Sequence, residues 1–350
     1  MNKQIQLAGR RVGAGQPCFI IAEIGSNHNC NFGTALELIN VAKESGCDAV
    51  KFQSYTADGL YSRYTPRISE MEDRSHPGET PYELIKRIEM PIDWHQSLSD
   101  YCEEVGIIFS STPFDESMVD VLEGVGVPFY KVASYEITHY PMLAKIAQTG
   151  KPVVLSTGNS DMNDIDLAVE TLKQNGCQEL ALLHCVSQYP AQYEDMNLKC
   201  IGTLRDKFQC VVGLSDHTLD SISSVMAVAL GASIIEKHIT LDRKTFGPDH
   251  PFALEPHQLK ELVSSVRSAE MALGIGTKAV RPSEEENHKI GRRSIIAAAD
   301  IKQGEELTIE KLVIKRPALG MHPRDLHAVI GRRAAKDIPR DYWITPDCLK

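Results

Sequence analysis

The chain has 350 residues, of which 24% are charged and 42% hydrophobic, and its formal net charge is -10. That length exceeds one small domain and accommodates a barrel of about 250 residues with one appended module. The acidic balance, with no long basic run, excludes a nucleic-acid groove but leaves room for a local positive pocket that holds an anion. Residues 1–10 are polar, and no run reaches the roughly 18 apolar residues of a membrane span. Nine cysteines are scattered without a CxxC pair, the pattern of a reducing compartment. The expectation is a soluble cytoplasmic protein without nucleic-acid or membrane partners.

Residues 4–16 alternate weakly, with Ile5, Leu7 and Val12 apolar, and turn at Gly13–Gly15. This predicts a short hairpin within 1–17 that closes the bottom of a barrel. Eight β-branched runs follow: CFIIAEIG from Cys18, AVKFQSY from Ala49, IIFSSTP from Ile107, FYKVAS from Phe129, PVVLSTG across 151–158, LALLHCVS from Leu180, VVGLSDH from Val211 and IIEKHIT from Ile234. Each ends in residues suited to catalysis, and helical spacing follows them, as at Leu36, Ile39, Val41 and Ala42. Helices are expected over 117–122, 140–148, 164–174 and, long and amphipathic, 255–273. Eight such β-then-α units predict an α/β fold, a (β/α)8 TIM barrel with its site where the strands run out. The connection over 57–91 is long for a barrel loop and is a candidate for substrate enclosure, helical near 82–88. The domain boundaries expected are 1–275 for the barrel, 276–289 for a polar linker with Pro282 and three consecutive glutamates, and 290–350 for a small β-rich module.

Alternate residues of a strand share a face, so Lys51 with Gln53, Ser215 with His217, and Glu236 with His238 point together into the barrel mouth. Lys51, Lys131, Thr112, Ser134 and Ser215 supply ammonium groups and hydroxyls from five strand ends, a set suited to an anion such as a phosphate joined to a carboxylate. Either lysine is also a candidate Schiff-base nucleophile. His217 and His238 are a candidate pair of ligands for one divalent ion, against the alternative of hydrogen-bonded core histidines. His184 fits the structural alternative and is assigned no chemistry. Glu23 is placed to hold a water or move a proton. Glu136 and Asp249 are further carboxylates near strand ends, each open to a capping or ion-pairing role.

The motifs AEIGSNH (22–28), KFQ (51–53), STPF (111–114), KVASYE (131–136), LSTG (155–158), LLHCVSQYP (182–190), GLSDHT (213–218), EKHITLD (236–242), GPDH (247–250) and IKRP (314–317) occur in order along nearly the whole chain. Together they resemble the N-acetylneuraminate (sialic acid) synthase family, which includes legionaminic and pseudaminic acid synthases and spore-coat polysaccharide synthases. Residues 290–350 resemble that family's antifreeze-like (SAF) domain. The resemblance implies condensation of phosphoenolpyruvate with an open-chain N-acylated amino sugar, giving a nine-carbon 2-keto-3-deoxy sugar acid and phosphate by C–O cleavage. It implies that His217 and His238 hold a divalent ion, Mn2+ or Mg2+, that polarises the sugar aldehyde. It casts Lys51, Thr112, Lys131, Ser134, Ser187 and Ser215 as the phosphoenolpyruvate cradle and Glu23, Lys51 and Lys131 as the catalytic groups. Gln53, Glu136, Tyr189, Asp249 and Arg316 then contact the sugar, Arg316 reaching across a domain-swapped homodimer. No asparagine lies between Asp58 and Pro91, where several neuraminate synthases use one to grip the N-acetyl group, so the resemblance leaves the sugar open. The alternatives are a Schiff-base aldolase, a 3-deoxy-sugar-acid synthase acting on an aldose phosphate, and a carbohydrate-binding protein without turnover.

Overall fold

The computed structural model describes residues 4–67 and 76–350. The chain divides into two compact units, Met1–Gly274 and Ile275–Lys350.

The first unit opens with an antiparallel hairpin, β1 (Gln4–Leu7) and β2 (Arg10–Gly13). Its connecting turn is at Ala8–Gly9, both with positive φ, rather than at Gly13–Gly15, whose turn comes after the second strand. Eight parallel strands follow: β3 (Phe19–Gly25), β4 (Ala49–Ser54), β5 (Ile108–Pro113), β6 (Tyr130–Val132), β7 (Val153–Ser156), β8 (Leu180–Cys185), β9 (Val211–Asp216) and β10 (Ile234–His238). They pair in the order β5-β4-β3-β10-β9-β8-β7-β6, and β5 and β6 lie side by side. The result is a nearly closed (β/α)8 barrel, as the eight runs predict. Helices return the chain between strands: α1 (Phe32–Ser45), α2 (Ala57–Leu60), α3 (Pro81–Ile88), α4 (Trp94–Val105), α5 (Glu116–Val125), α6 (Tyr140–Gln148), α7 (Met162–Gln174), α8 (Cys200–Phe208), α9 (Ile222–Ala229) and α10 (Pro256–Leu273). Their ends follow from the sequence. Asn31 accepts the Thr34 N–H at the start of α1, Asp161 and Asp164 form a capping box on α7, and Gly46 closes α1 in the left-handed region.

Strand parity divides the core. Ile20, Ala22, Val50, Phe109, Val132, Leu155, Leu182, Leu214 and Ile235 face the helices in one cluster. Phe19, Ile21, Ala49, Phe129, Val154, Ala181, Leu183, Val211 and Ile234 form a second cluster with Ile5, Leu7 and Val12 of the hairpin. The hairpin therefore plugs the end of the barrel where the strands begin. Continuing each inward series by two residues gives Glu23, Lys51, Lys131, Ser156, Cys185 and Glu236, and by four from Val211, past Gly213, gives Ser215, so the inside turns polar where the strands end.

The described parts of the 57–91 connection carry secondary structure and a core. They include α2 and α3, and Leu84, Ile85 and Ile88 bury against Tyr55 and Ala57 in a small core of their own. The part of this expected lid that spans 68–75 lies outside the described residues. His76 stacks on Phe246 with ring centroids 4.8 Å apart, and the Arg87 guanidinium stands 5.6 Å from the same ring. These contacts tie the connection to the segment that follows β10.

In the second unit, α11 (Glu285–Gly291) begins within the stretch 276–289 expected as linker and runs two residues past its end. Glu285 and Glu286 in its first turn and His288 and Lys289 in its last complement the helix dipole. Beyond it β11 (Ser294–Ala297) pairs antiparallel with β12 (Leu312–Lys315), and a short α12 (Leu326–Val329) follows. Ile295, Ala297, Ile301, Leu307, Val329, Ala334, Ile338 and Ile344 make its core.

Candidate active site

Two buried lysines and two buried carboxylates organise the polar end of the barrel. Lys51 Nζ lies 2.8 Å from Glu23 Oε2 and donates to Thr112 Oγ1 at 2.9 Å. Gln53 Nε2 donates to Glu23 Oε1 at 2.7 Å. On the facing strands, Lys131 Nζ stands 3.4 Å from Glu236 Oε1, which also accepts from Ser215 Oγ at 3.1 Å. Both carboxylates sense both lysines, and their environments push them apart. Burial raises Glu236, but Lys131 and Lys51 outweigh it and hold the carboxyl below its ordinary range. Burial wins at Glu23, pushing it up to about 7 against the pull of Lys51. One carboxylate is thus fixed as an anion while the other exchanges a proton near neutrality, the usual division between electrostatic and acid–base roles. Burial works against charge on Lys51, yet Glu23 and Glu236 raise it; burial prevails at Lys131, which is lowered.

Beside the lysines the backbone is shaped for close approach. A Cβ on Gly158 would stand 2.3 Å from Ser187 Oγ, 2.9 Å from Ser134 Oγ and 3.0 Å from Cys185 Sγ. The Gly158 N–H donates to Ser134 Oγ at 3.0 Å. Ser156 Oγ is buried nearby on β7 with no hydrogen-bond partner among the described residues. Hydroxyls converging on a glycine backbone beside two ammonium groups fit an anion with several oxygens.

His217 and His238 close the other side, their ring centroids 5.5 Å apart. Phe252 packs on both, and Tyr189 packs on His217 at 4.3 Å and on Phe252 at 5.1 Å. His217 Nδ1 pairs with the Val186 carbonyl at 2.9 Å, which leaves Nε2 with the lone pair in the neutral ring. His238 is held well below its usual range by burial and then by His217 and the lysines. Its Nδ1 makes no hydrogen bond among the described residues, with Asp249 Oδ2 3.8 Å away. Among the described residues no set of three or more His, Cys, Asp or Glu side chains is arranged to hold a metal ion. The two imidazoles are the donors the site offers, and a neutral, buried, unpartnered ring nitrogen fits a divalent cation.

Gly25, at φ 56°, makes room for the remaining groups: a Cβ there would meet Asp249 Oδ2 at 3.0 Å, Gln53 Nε2 at 3.3 Å and Glu23 Oε1 at 3.4 Å. Glu136 sits in the turn after β6, 7% exposed, with Oε2 buried and unpartnered among the described residues. Burial pushes its carboxyl up to about 7. Without substrates, the stability conferred by its protonation is complete below 4.5 and is lost as pH rises through about 7. Glu136→Gln should therefore be more stable than the parent at pH 8, by up to about 3 kcal/mol, and equal to it near pH 4.5. Urea denaturation of both proteins at the two pH values measures this.

The expected residues thus gather at one barrel end, in the first unit, with one exception. Arg316 stands in the second unit, exposed, one residue past β12. His184 points to the helix side and bonds the Met196 carbonyl at 2.6 Å, in keeping with a structural role. Gly158, Ser156 and Cys185 are part of the site without having been assigned to it from the sequence, and Glu236, read from the sequence as pointing into the barrel mouth, was given no role there. Glu236 carried a signal: two inward lysines need more than one inward carboxylate.

Comparison with known proteins gives a consistent relation. Residues 38–278 match the model of the NeuB family and residues 292–350 that of the SAF domain. An uncharacterized protein of Methanocaldococcus jannaschii is 43% identical over 97% of this chain and 98% of its own. The N,N'-diacetyllegionaminic acid synthase of Legionella pneumophila is 40% identical over 93% of each chain. Among solved structures, the N-acetylneuraminic acid synthetase of Leptospira borgpetersenii, determined with citrate, superposes with a TM-score of 0.72 at 34% identity, covering 82% of this chain and 95% of its own.

Proposed function

This chain belongs to the NeuB family and ends in a SAF domain, and from that premise we propose that it condenses phosphoenolpyruvate with an open-chain N-acylated amino sugar. The product is a nine-carbon 2-keto-3-deoxy sugar acid, released with inorganic phosphate. The observation that carries this reading is the gathering, at one barrel end, of two buried lysines, a set of hydroxyls around Gly158 and two neighbouring imidazoles. That arrangement offers one anion site and one electrophile site within a single barrel mouth. The likeness to a diacetyllegionaminic acid synthase makes a 2,4-diacetamido hexose the first sugar to test, ahead of N-acetylmannosamine.

Lys51, Lys131 and Thr112 bind the phosphate and carboxylate oxygens, with Ser134, Ser187 and Ser215. A divalent ion, Mn2+ or Mg2+, held by His217 and His238 would act as a Lewis acid on the sugar carbonyl oxygen. Gln53, Glu136, Tyr189 and Asp249 hold the sugar so that its aldehyde carbon faces carbon 3 of phosphoenolpyruvate. As the C3–C1 bond forms, positive character develops at carbon 2. Glu23 takes a proton from the water that adds there. The proton that Glu23 takes is returned to the sugar carbonyl oxygen, which becomes a hydroxyl. The tetrahedral carbon then expels phosphate with cleavage of its C–O bond, its own hydroxyl proton leaving with the phosphate as the 2-keto group forms, and the two lysines stabilise the charge that leaves.

Arg316 completes the site from the SAF domain of the partner in a domain-swapped homodimer. A mixed dimer of an Arg316→Ala subunit and a subunit with an inactivated barrel then retains activity in one of its two sites; complete loss contradicts the exchange.

A Schiff-base aldolase has one observation in its favour, the lowered pKa of Lys131. Borohydride trapping with pyruvate would reveal it. The deciding experiment is phosphate release from phosphoenolpyruvate with Mn2+ against 2,4-diacetamido hexoses, N-acetylmannosamine and its 6-phosphate, with and without EDTA. Release that requires a sugar and is abolished by EDTA is expected; no release with any sugar refutes the reading.

A further inference from the structure

Asp216 and Lys237 are charged residues at positions of β9 and β10 that face away from the barrel interior. They stand directly opposite each other in register, one place beyond the inward pair Ser215 and Glu236. Both are 1% exposed, and Lys237 Nζ lies 3.0 Å from Asp216 Oδ2. Their neighbours on the same face, Leu214 and Ile235, are apolar and pack under the helices. An ion pair in such a place is a poor source of stability, because apolar side chains of similar size serve at least as well.

The contacts of this pair converge on one short segment. Asp216 Oδ1 accepts the Thr218 N–H at 2.9 Å and the Thr218 hydroxyl at 2.8 Å, closing a turn around His217. Lys237 Nζ donates to the Thr218 carbonyl and, at 3.3 Å, to its hydroxyl. Ser224 in α9 donates to Asp216 Oδ2 at 2.6 Å. The N–H and the C=O of the residue after His217 are therefore both fixed by the pair, and Lys237 is itself the residue before His238.

We propose that Asp216 and Lys237 are positioning residues, a buried clamp behind the sheet that sets the separation and orientation of His217 and His238. The proposal deepens the functional reading above and rests on it where it names the ion those histidines hold. Groups that orient ligating histidines from behind commonly change metal affinity by roughly 10- to 100-fold.

The test is the double variant Asp216→Asn with Lys237→Met, which removes both charges while keeping an acceptor for the Thr218 N–H. Mn2+ binding to the full-length protein is measured by electron paramagnetic resonance, alongside thermal unfolding. The expected result is a midpoint close to that of the parent, with Mn2+ affinity at least 10-fold weaker. A folded double variant whose Mn2+ affinity stays within about twofold of the parent overturns the clamp. Should the double variant fail to fold, Thr218→Val, which removes one hydroxyl of the cluster, is read the same way with a threshold of roughly threefold. If the parent itself binds no Mn2+, the metal reading fails and the clamp is judged by the crystal structure of the variant. Retention of the 5.5 Å ring separation and of the His217 bond to Val186 then overturns it, and displacement of His217 supports it.

Discussion

Glu23→Gln should lower kcat by roughly 100- to 10,000-fold, the usual contribution of a positioned proton acceptor, while leaving the KM for phosphoenolpyruvate unchanged or lower. The substitution preserves shape and the contact with Gln53 but removes the carboxylate assigned to take a proton from water. It also removes a negative charge 2.8 Å from Lys51, which should favour an anionic ligand. The pH profile separates this role from simple damage. Because burial pushes Glu23 up to about 7, the base form is lost as pH falls through that value. The kcat/KM of the parent should drop on the acid side with an apparent pKa near 7, and the residual activity of the variant should lack that limb. Steady-state kinetics between pH 5.5 and 8.5 decides the matter; an unchanged acid limb in Glu23→Gln would assign it to another group.

Gly158→Ala should be nearly as damaging through a different route. Its added methyl would sit 2.3 Å from Ser187 Oγ and under 3 Å from Ser134 Oγ, so both hydroxyls must move from the position where an anion is expected. Misplacing oriented donors by about 1 Å costs on the order of 100-fold, and the loss should appear mainly as a raised KM for phosphoenolpyruvate. Adding Ser187→Gly removes the shortest of the three contacts and should restore part of the loss. If the alanine variant binds phosphoenolpyruvate as tightly as the parent in calorimetric titration, the cradle has been assigned to the wrong backbone.

Much of the barrel is legible in the sequence because strand parity is a local property. The runs that carry Glu23, Lys51, Lys131, Ser215 and His238 already show which side chains share a face, and all lie at one end. What the sequence does not show is how residues from different strands meet. The division of labour between Glu23 and Glu236 depends on each one's distance to two lysines, which no spacing encodes. Gly158 reads as a turn residue until Ser134, Cys185 and Ser187 are seen around it. Asp216 and Lys237 stand in plain view at outward positions, but their partner is a backbone carbonyl 19 residues away from the lysine. The hairpin turn falls at Ala8–Gly9, where Ala8 takes a positive φ within a less marked sequence, and not at the stronger turn signal of Gly13–Gly15.

The central claim is that the buried lysines and hydroxyls hold phosphoenolpyruvate while its carbon 3 joins an aldehyde and water adds at carbon 2. Phosphoenolpyruvate labelled with 18O in the oxygen that bridges carbon 2 and phosphorus tests this most directly. Turned over with the sugar that supports phosphate release, the label should be found in inorganic phosphate, as C–O cleavage requires. Unlabelled phosphate would mean that the P–O bond breaks instead and would contradict the addition of water at carbon 2.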